Sequence, residues 1–326
     1  MKKIIEFERF LSLPLIFRSK FQLLIRGNHL QKLNKKKEYQ RAAFLKLRVN
    51  YSNLYRQISK YSVKKYVTPT WADFNQKMES VLLPLPPLNF LTNSLIMYSM
   101  VMTKGGKLMA KQIDFIEKTY GKKTTKIVLE EDLVGSPMVI NRKYLTSHNR
   151  VHQLYHLARY ERSTKDKISD HRVIAEWGAG YGNMVVVIKR LVKHPLTYIS
   201  IDTPLFLCLQ WLYLSTIFGP DKVNLITLPN QKIVKNKINL VPVSLLERIN
   251  LSCDLFITNW ALSESSKTSQ DFVSRKNWFG AKHLLIGYQE KCEAFEQAEG
   301  VGKMVEESGG VIEDLKILPS NYYAFK

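Results

Sequence analysis

The 326-residue chain is poor in cysteine and acid and lacks a long uninterrupted apolar run, and each shortage removes a class of protein. Its three cysteines, Cys208, Cys253 and Cys292, stand far apart with no C-x-x-C spacing. They predict neither a disulfide framework nor a zinc site, and a reducing cytoplasm is the simplest home. The two most apolar stretches, 81–102 and 205–218, do not make a membrane span, which needs about 20 residues. Pro84, Pro86, Pro87, Asn89 and Asn93 interrupt the first, and the second is too short. Near the amino end, Glu6, Glu8 and Arg9 break what would be the apolar centre of an export signal. With 45% apolar residues the composition still supports a globular fold with a sizeable core.

The shortage of acid is uneven. Lys and Arg number 49 against 28 Asp and Glu, a formal net charge of +21. Residues 1–60 hold fifteen basic residues against three glutamates, and the other 266 residues carry only +9. In this front segment Phe7, Phe10, Leu11, Leu15, Phe17, Phe21, Leu24 and Ile25 alternate with the charges. Such a pattern suits an anionic surface, whether lipid headgroups, nucleic acid or an acidic glycan; equally, it suits a helical cap whose charges are solvated.

What the chain does possess is concentrated in Val173-Ile-Ala-Glu-Trp-Gly-Ala-Gly-Tyr-Gly-Asn183. An apolar run ends in an acid, glycines follow at 178, 180 and 182, and an apolar helix pattern begins at Met184. Strand, side-chain-free turn and helix start form a loop that can wrap a small molecule, with free N–H groups at the helix end. The dinucleotide fingerprint G-x-G-x-x-G is not matched, because the third glycine comes one position early and an acid precedes the first. NAD is therefore disfavoured. Tyr198-Ile-Ser-Ile-Asp202 supplies a second strand that also ends in an acid.

Around this stretch the pattern divides in two. Residues 1–126 read as a basic, mainly helical accessory region, broken by Leu83-Pro-Leu-Pro-Pro-Leu88 and by a turn at 121–125. Residues 127–326 read as the catalytic part, opening with an extended piece at 127–132 and a helix from 146 to about 162. Strands are predicted at 172–177, 197–202, 223–227 or 237–243, 254–259, 283–288, 310–317 and 321–326. Helices are predicted at 183–193, 204–218, 265–280 and 291–308. The expected fold is α/β, a mostly parallel doubly wound sheet. His148 and His152 share one helix face, an arrangement that is structural or substrate-facing when no third metal ligand is near.

The pattern E-x-G-x-G-x-G resembles the first motif of the S-adenosylmethionine-dependent methyltransferases. Three further stretches resemble the bacterial family of sugar O-methyltransferases: Ile201-Asp-Thr-Pro204 leading into 209–215, Asp254-Leu-Phe-Ile-Thr-Asn259 with Leu262-Ser-Glu264, and Ser147-His-Asn-Arg150 with Leu154-Tyr-His-Leu157. The resemblance covers roughly residues 130–326, with Thr203 standing where a leucine is usual. It implies a Rossmann-like sheet of seven strands closed by an antiparallel hairpin and S-adenosyl-L-methionine as cofactor; the sequence itself assigns no metal-ligating residues. The resemblance implies that Glu176, Gly178, Gly180 and Gly182 border the methionine end, that Asp202 holds the ribose hydroxyls, and that Asn259 lies beside them.

Glu264 is then the first candidate for general base, with the start of a helix as its structural alternative, and His148 is the second. His152 and Tyr181 are candidates for contact with the acceptor. The function this implies is methylation of a sugar hydroxyl in surface polysaccharide or glycan biosynthesis, in the cytoplasm, with residues 1–60 resting on the anionic inner membrane face. An RNA methyltransferase that uses the basic front is the alternative. It is disfavoured as a base-amino methylase because Asn259-Trp-Ala-Leu262 replaces the usual proline-rich grip on a base. A third reading is a non-catalytic binding protein on the same fold.

Overall fold

The computed structural model describes residues 28–326 except 104, 142, 291, 296, 297, 299, 316, 317 and 319. The apolar and basic stretch from Phe7 to Ile25, on which the expected membrane contact rests, lies outside the described residues. Helices come first: α1 (Asn28–Arg48), α2 (Tyr51–Ser59), α3 (Pro69–Leu82), α4 (Ser94–Met100) and α5 (Gly106–Leu129). The expected turn at 121–125 is instead a kink within α5, where Gly121 takes φ +74° and the helix resumes. Nor is 127–132 a strand. Val128 and Leu129 are fully buried on the last turn of α5, and that burial outweighs the preference of Ile127 and Val128 for extended backbone. A small antiparallel pair, β1 (Val139–Asn141) and β2 (Thr146–Ser147), leads into α6 (His148–Thr164), whose first turn is capped by the Ser147 hydroxyl accepting from Arg150 N–H.

The remainder alternates strand and helix: β3 (Val173–Trp177), α7 (Asn183–Leu191), β4 (Thr197–Asp202), α8 (Pro204–Phe218), β5 (Val223–Leu225), β6 (Ile238–Pro242), β7 (Leu255–Asn259), α9 (Lys267–Arg275), β8 (His283–Gln289), α10 (Gly300–Glu307), β9 (Val311–Asp314) and β10 (Asn321–Phe325). The sheet order is β5-β6-β4-β3-β7-β8-β10-β9. All pairings are parallel except those of β10, which runs antiparallel to β8 and β9. This is the expected Rossmann-like architecture with eight strands in place of seven. Both alternatives between Asp202 and Asp254 are realised, because Val223–Leu225 pairs in parallel with β6 and adds an edge strand. The predicted helix at 265–280 ends at Arg275, since Asn277, Trp278 and Phe279 take positive φ in a tight turn. Of the helix predicted at 291–308, the described structure shows Gly300–Glu307.

Alternation along the strands splits the core between the sheet's two faces. Ile174, Tyr198, Leu255 and Tyr323 face one side, and Ala175, Ile199, Phe256 and Ala324 the other. On the first side, α8 is apolar around nearly its whole circumference, a pattern that fits only a helix covered on every side. The sheet covers one side of it, and α1 and α2 pack on another. The buried Tyr51 hydroxyl of α2 donates to the Leu205 carbonyl of α8 at 3.2 Å. Replacing Tyr51 by Phe is expected to lower the unfolding free energy by about 1 kcal/mol, read from the urea midpoint at unchanged slope.

Candidate functional site

The carboxyl ends of β3, β4 and β7 open into one cavity of about 410 Å³. In open α/β sheets this rim, where the strand order reverses, is the place for a ligand. From the sheet side it is lined by Glu176, Gly178, Gly180, Asp202, Asn259 and Glu264, and from α6 by His152 and His156. The front helices supply the opposite wall, including Trp71, Asn75 and the run from Tyr98 to Thr103. Residues read as an accessory region therefore complete the cavity.

The glycine loop is held open by its backbone. Gly178 has φ +72°, and a Cβ there would overlap the Ala261 methyl. Gly180 has φ +57°, with Met100 Cβ 3.3 Å from where its own Cβ would stand. Only glycine satisfies both the angle and the space at 178.

Three carboxyl groups line the cavity, each supported by neutral donors. Glu176 Oε2 accepts from the Tyr198 hydroxyl at 2.6 Å. Asp202 accepts from Thr203 N–H at 2.8 Å and from Gln210 Nε2 at 2.9 Å. Glu264 accepts from the Trp71 indole at 3.1 Å and faces Gln289 Nε2 at 3.5 Å. Burial pushes Glu176 up to about 8 and Asp202 and Glu264 up to about 7. The structural alternative for Glu264 is not realised, because the start of α9 is capped by the Ser266 hydroxyl.

Beside these acids stands a histidine ladder. His152 Nδ1 lies 2.9 Å from Gln112 Nε2, and His156 Nδ1 lies 2.6 Å from the Tyr323 hydroxyl. Burial, reinforced by His156 and His148, holds His152 well below the usual imidazole range, and burial takes His156 to about 3. Both rings are neutral at pH 7. Trp260 packs on both, its ring centroid 6.0 Å from His152 and 5.5 Å from His156. Its backbone is strained at φ +65° and fixed by Trp260 N–H to Gly287 O at 2.6 Å and by the indole to Asn321 Oδ1 at 2.5 Å. A bulky residue in this region persists only where its surroundings over-determine it, as functional sites often do.

No protein-family model matches the chain, and no curated protein matches it. Similar solved structures include mitomycin 7-O-methyltransferase, at 13% identity over 76% of this chain and 74% of that one, with a TM-score of 0.37. They also include magnesium protoporphyrin IX methyltransferase of Synechocystis with bound SAM, at 10% identity over 69% and 97%, with a TM-score of 0.37. A 16S rRNA methylase is similar at 13% identity over 52% and 84%, with a TM-score of 0.28. Likeness this distant carries no argument about chemistry, so the site has to be read from its own residues.

Three of the expected site residues stand behind the cavity wall. Gly182 caps the start of α7. Tyr181 is buried, its ring edge-on to Tyr213 at 5.0 Å and its hydroxyl accepting from Asn149 Nδ2 at 2.9 Å. His148 sits one turn deeper than His152 with its Nε2 2.8 Å from Gln112 Oε1, and it does not line the cavity. Tyr181, expected to touch the acceptor, and His148, expected as the second candidate for general base, thus both lie off the lining of this cavity. Conversely, His156 and Trp260 escaped the sequence reading although signals existed: His148, His152 and His156 recur every four residues, and Trp260 adjoins Asn259. Trp71 carries no such signal, since its bond to Glu264 spans 193 positions.

Several polar atoms on cavity-lining residues are buried without a protein partner: Asn75 Oδ1, His152 Nε2, Gln153 Oε1, His156 Nε2, Thr203 Oγ1 and both polar atoms of Asn259. Buried polar groups in proteins are nearly always paired, so this concentration points to a polar ligand. Among the described residues no group of three or more His, Cys, Asp and Glu is arranged to hold a metal ion. Nor is any described helix long and apolar enough to cross a membrane.

Proposed function

We propose that the chain is an S-adenosylmethionine-dependent methyltransferase that methylates a hydroxyl group, with a sugar ring as acceptor. The observation that carries this reading is the meeting, at the carboxyl ends of β3, β4 and β7, of a side-chain-free loop, acids at two adjacent strand ends and unpartnered amide atoms. The residues fit the cofactor: the loop and Glu176 would hold its amino-acid end, Asp202 the ribose hydroxyls, and Asn259 a further polar edge. When bound, the cofactor supplies a methyl group that is already electrophilic. The protein's share is to hold the acceptor hydroxyl in line and to receive its proton. Glu264, lining the cavity and held near neutrality, suits that second task. Trp71, Tyr98, Phe206 and Trp260 offer flat apolar walls for the face of a ring.

The charge of +21 favours a second reading, methylation of RNA gripped by the basic surface. Against it, the described residues that line the cavity include no Lys or Arg, so any phosphate would have to be held outside. A scaffold without turnover is disfavoured by the open loop and the poised carboxyl groups.

Calorimetric titration with S-adenosylhomocysteine tests the cofactor. Binding is expected, and it is expected to vanish in Gly180→Arg; a folded parent protein that binds none would sink the proposal. Transfer of labelled methyl to a panel of sugars should then give a kcat/KM that rises with pH through about 7, as Glu264 ionises. In Glu264→Gln, kcat should fall by about 10²–10⁴ with cofactor binding retained. Transfer to RNA and not to sugars would favour the second reading.

A further inference from the structure

The cavity occupies the carboxyl ends of the strands, and the opposite end of the sheet has the reverse charge. β4, β5 and β6 are neighbours and run parallel, so the residues that lead into them meet on one surface. Lys189 stands in the last turn of α7 and Lys193 just beyond it, before β4; Lys222 precedes β5, and Lys235 and Lys237 precede β6. Two interactions tie these lysines together. Burial and the neighbouring Lys222 hold the Lys189 ammonium below the ordinary lysine range, and Lys222 with Lys237 keeps the Asp221 carboxyl below its own. Nearby acids are already committed: Asp221 to Lys222 at 2.9 Å, Glu130 to Lys36 at 3.2 Å, and Asp132 to Lys36 and Arg190. Among the described residues no ion pair involves Lys189, Lys193, Lys235 or Lys237. Lys189, half-buried beside another lysine, is in a position that a bound anion would relieve.

We propose that this end of the molecule, at the starts of β4, β5 and β6, docks on an anionic lipid bilayer. Its charges are lysines, compact and flexible, which suit a diffuse layer of headgroups, while the planar fork of Arg190 is taken up by Asp132 and the Glu130 carbonyl. Val234, 38% exposed between Lys232 and Lys235 in the loop into β6, adds an apolar contact framed by charge. α1 starts at the same end. Its Lys36 meets Glu130 and Asp132, which Arg190 on the last turn of α7 also reaches, whereas Tyr51, beyond its other end, meets Leu205 where α8 leaves the cavity side. In the sequence just before α1, Phe7, Phe10, Phe17 and Phe21 alternate with Arg9, Arg18 and Lys20. Apolar side chains among basic ones favour the boundary between headgroups and acyl chains over the phosphate backbone of a nucleic acid, which rewards charge alone. β4 spans six residues, about 20 Å at about 3.3 Å per residue. A docked chain therefore holds its cavity about that far from the lipid and facing away from it, open to an acceptor from the aqueous side. The inference does not depend on which cofactor the cavity binds.

The test is sedimentation of the full chain with vesicles of phosphatidylcholine alone or mixed with phosphatidylglycerol. Binding to the anionic vesicles only is expected, weakening as salt is raised. Each lysine near a charged bilayer is worth about fivefold in affinity. Lys193→Gln, Lys222→Gln and Lys235→Gln together, all at exposed positions, should therefore weaken binding by about tenfold to a hundredfold with the thermal transition unchanged. No difference between the two vesicle types, or undiminished binding by the triple variant, overturns the proposal. Competition with single-stranded RNA decides between the two anionic partners. Protein that stays on the vesicles when RNA of equal phosphate content is added supports the bilayer, and protein displaced by it overturns the assignment in favour of nucleic acid.

Discussion

Gly178→Ala is expected to abolish measurable binding of S-adenosylhomocysteine and to lower the unfolding free energy by about 2–5 kcal/mol. Two costs act together at this position. The backbone stands at φ +72°, where a residue with a Cβ is strained by about 1–3 kcal/mol. The added carbon would also overlap the Ala261 methyl, and relieving that overlap means moving either the loop or the segment after β7. Both border the cavity, so the relaxation that rescues the fold deforms the site. Gly180→Ala is the natural comparison, because its Cβ would stand 3.3 Å from Met100 Cβ, where the side chain can yield. Urea unfolding and calorimetry on the two variants separate the effects. A Gly178→Ala protein that binds within threefold of the parent would show that the loop does not touch the ligand.

The loop was readable because its requirement is local. Glycine at alternate positions after an apolar strand, with an acid before it, states in consecutive letters where the backbone turns and where a ligand fits. The same holds for the second strand and Asp202, and for α8, whose unbroken apolar character demands cover on every side. The edge strand β5 was ambiguous for a physical reason. At three residues it has too little pattern of its own, and its pairing with β6 decides it.

What the sequence withheld was the other wall of the cavity. Trp71 bonds Glu264 from α3, and the run from Tyr98 to Thr103 faces the glycine loop from the end of α4. Neither contact leaves a mark in local spacing, because both depend on tertiary packing: Trp71 of α3 stands edge-on to Phe206 of α8 at 5.9 Å, and α3 packs on α4. The misplacement of His148 has a similar origin. Positions four apart share a helix face, but which turn of that face reaches the cavity is set by the neighbours of α6: Gln112 of α5 bonds both His148 and His152, and of the two only His152 also lines the cavity. Composition also pointed outward, to an anionic surface, whereas the cavity has the opposite character.

Replacing Arg150 by Met is expected to cost about 3–5 kcal/mol, the cost of leaving a buried charge uncompensated. Arg150 is completely buried, and its Nη2 reaches Glu131 Oε1 at 2.8 Å, Asp132 Oδ2 at 3.2 Å and the Tyr213 hydroxyl at 3.1 Å. Asp132 also accepts from Arg190 at 2.9 Å and from Gln40 at 3.0 Å, and lies 3.3 Å from Lys36. The cluster thus ties α1, α6, α7 and α8 to the segment after α5. Without Arg150 the buried Glu131 carboxylate would keep, among the described residues, the Ser147 N–H at 2.9 Å as its donor and no cation. Burial by itself would raise Asp132, but Arg150, Arg190 and Lys36 outweigh it and hold the carboxyl at about 2, below its ordinary 3.8. A carboxyl held low in the folded state stabilises fully above its ordinary value, and that contribution disappears as pH falls toward about 2. The parent should therefore lose stability steeply on acidification below about pH 4, and Arg150→Met less steeply, because its Asp132 has lost one of three cations. The double variant Arg150→Met with Glu131→Gln removes the uncompensated charge and should recover much of the loss in urea unfolding. Failure to recover would assign the cost to packing around the guanidinium. Because α6 carries His152 and His156 and α7 follows the glycine loop, the single variant should also bind S-adenosylhomocysteine more weakly, with the double variant partly restored.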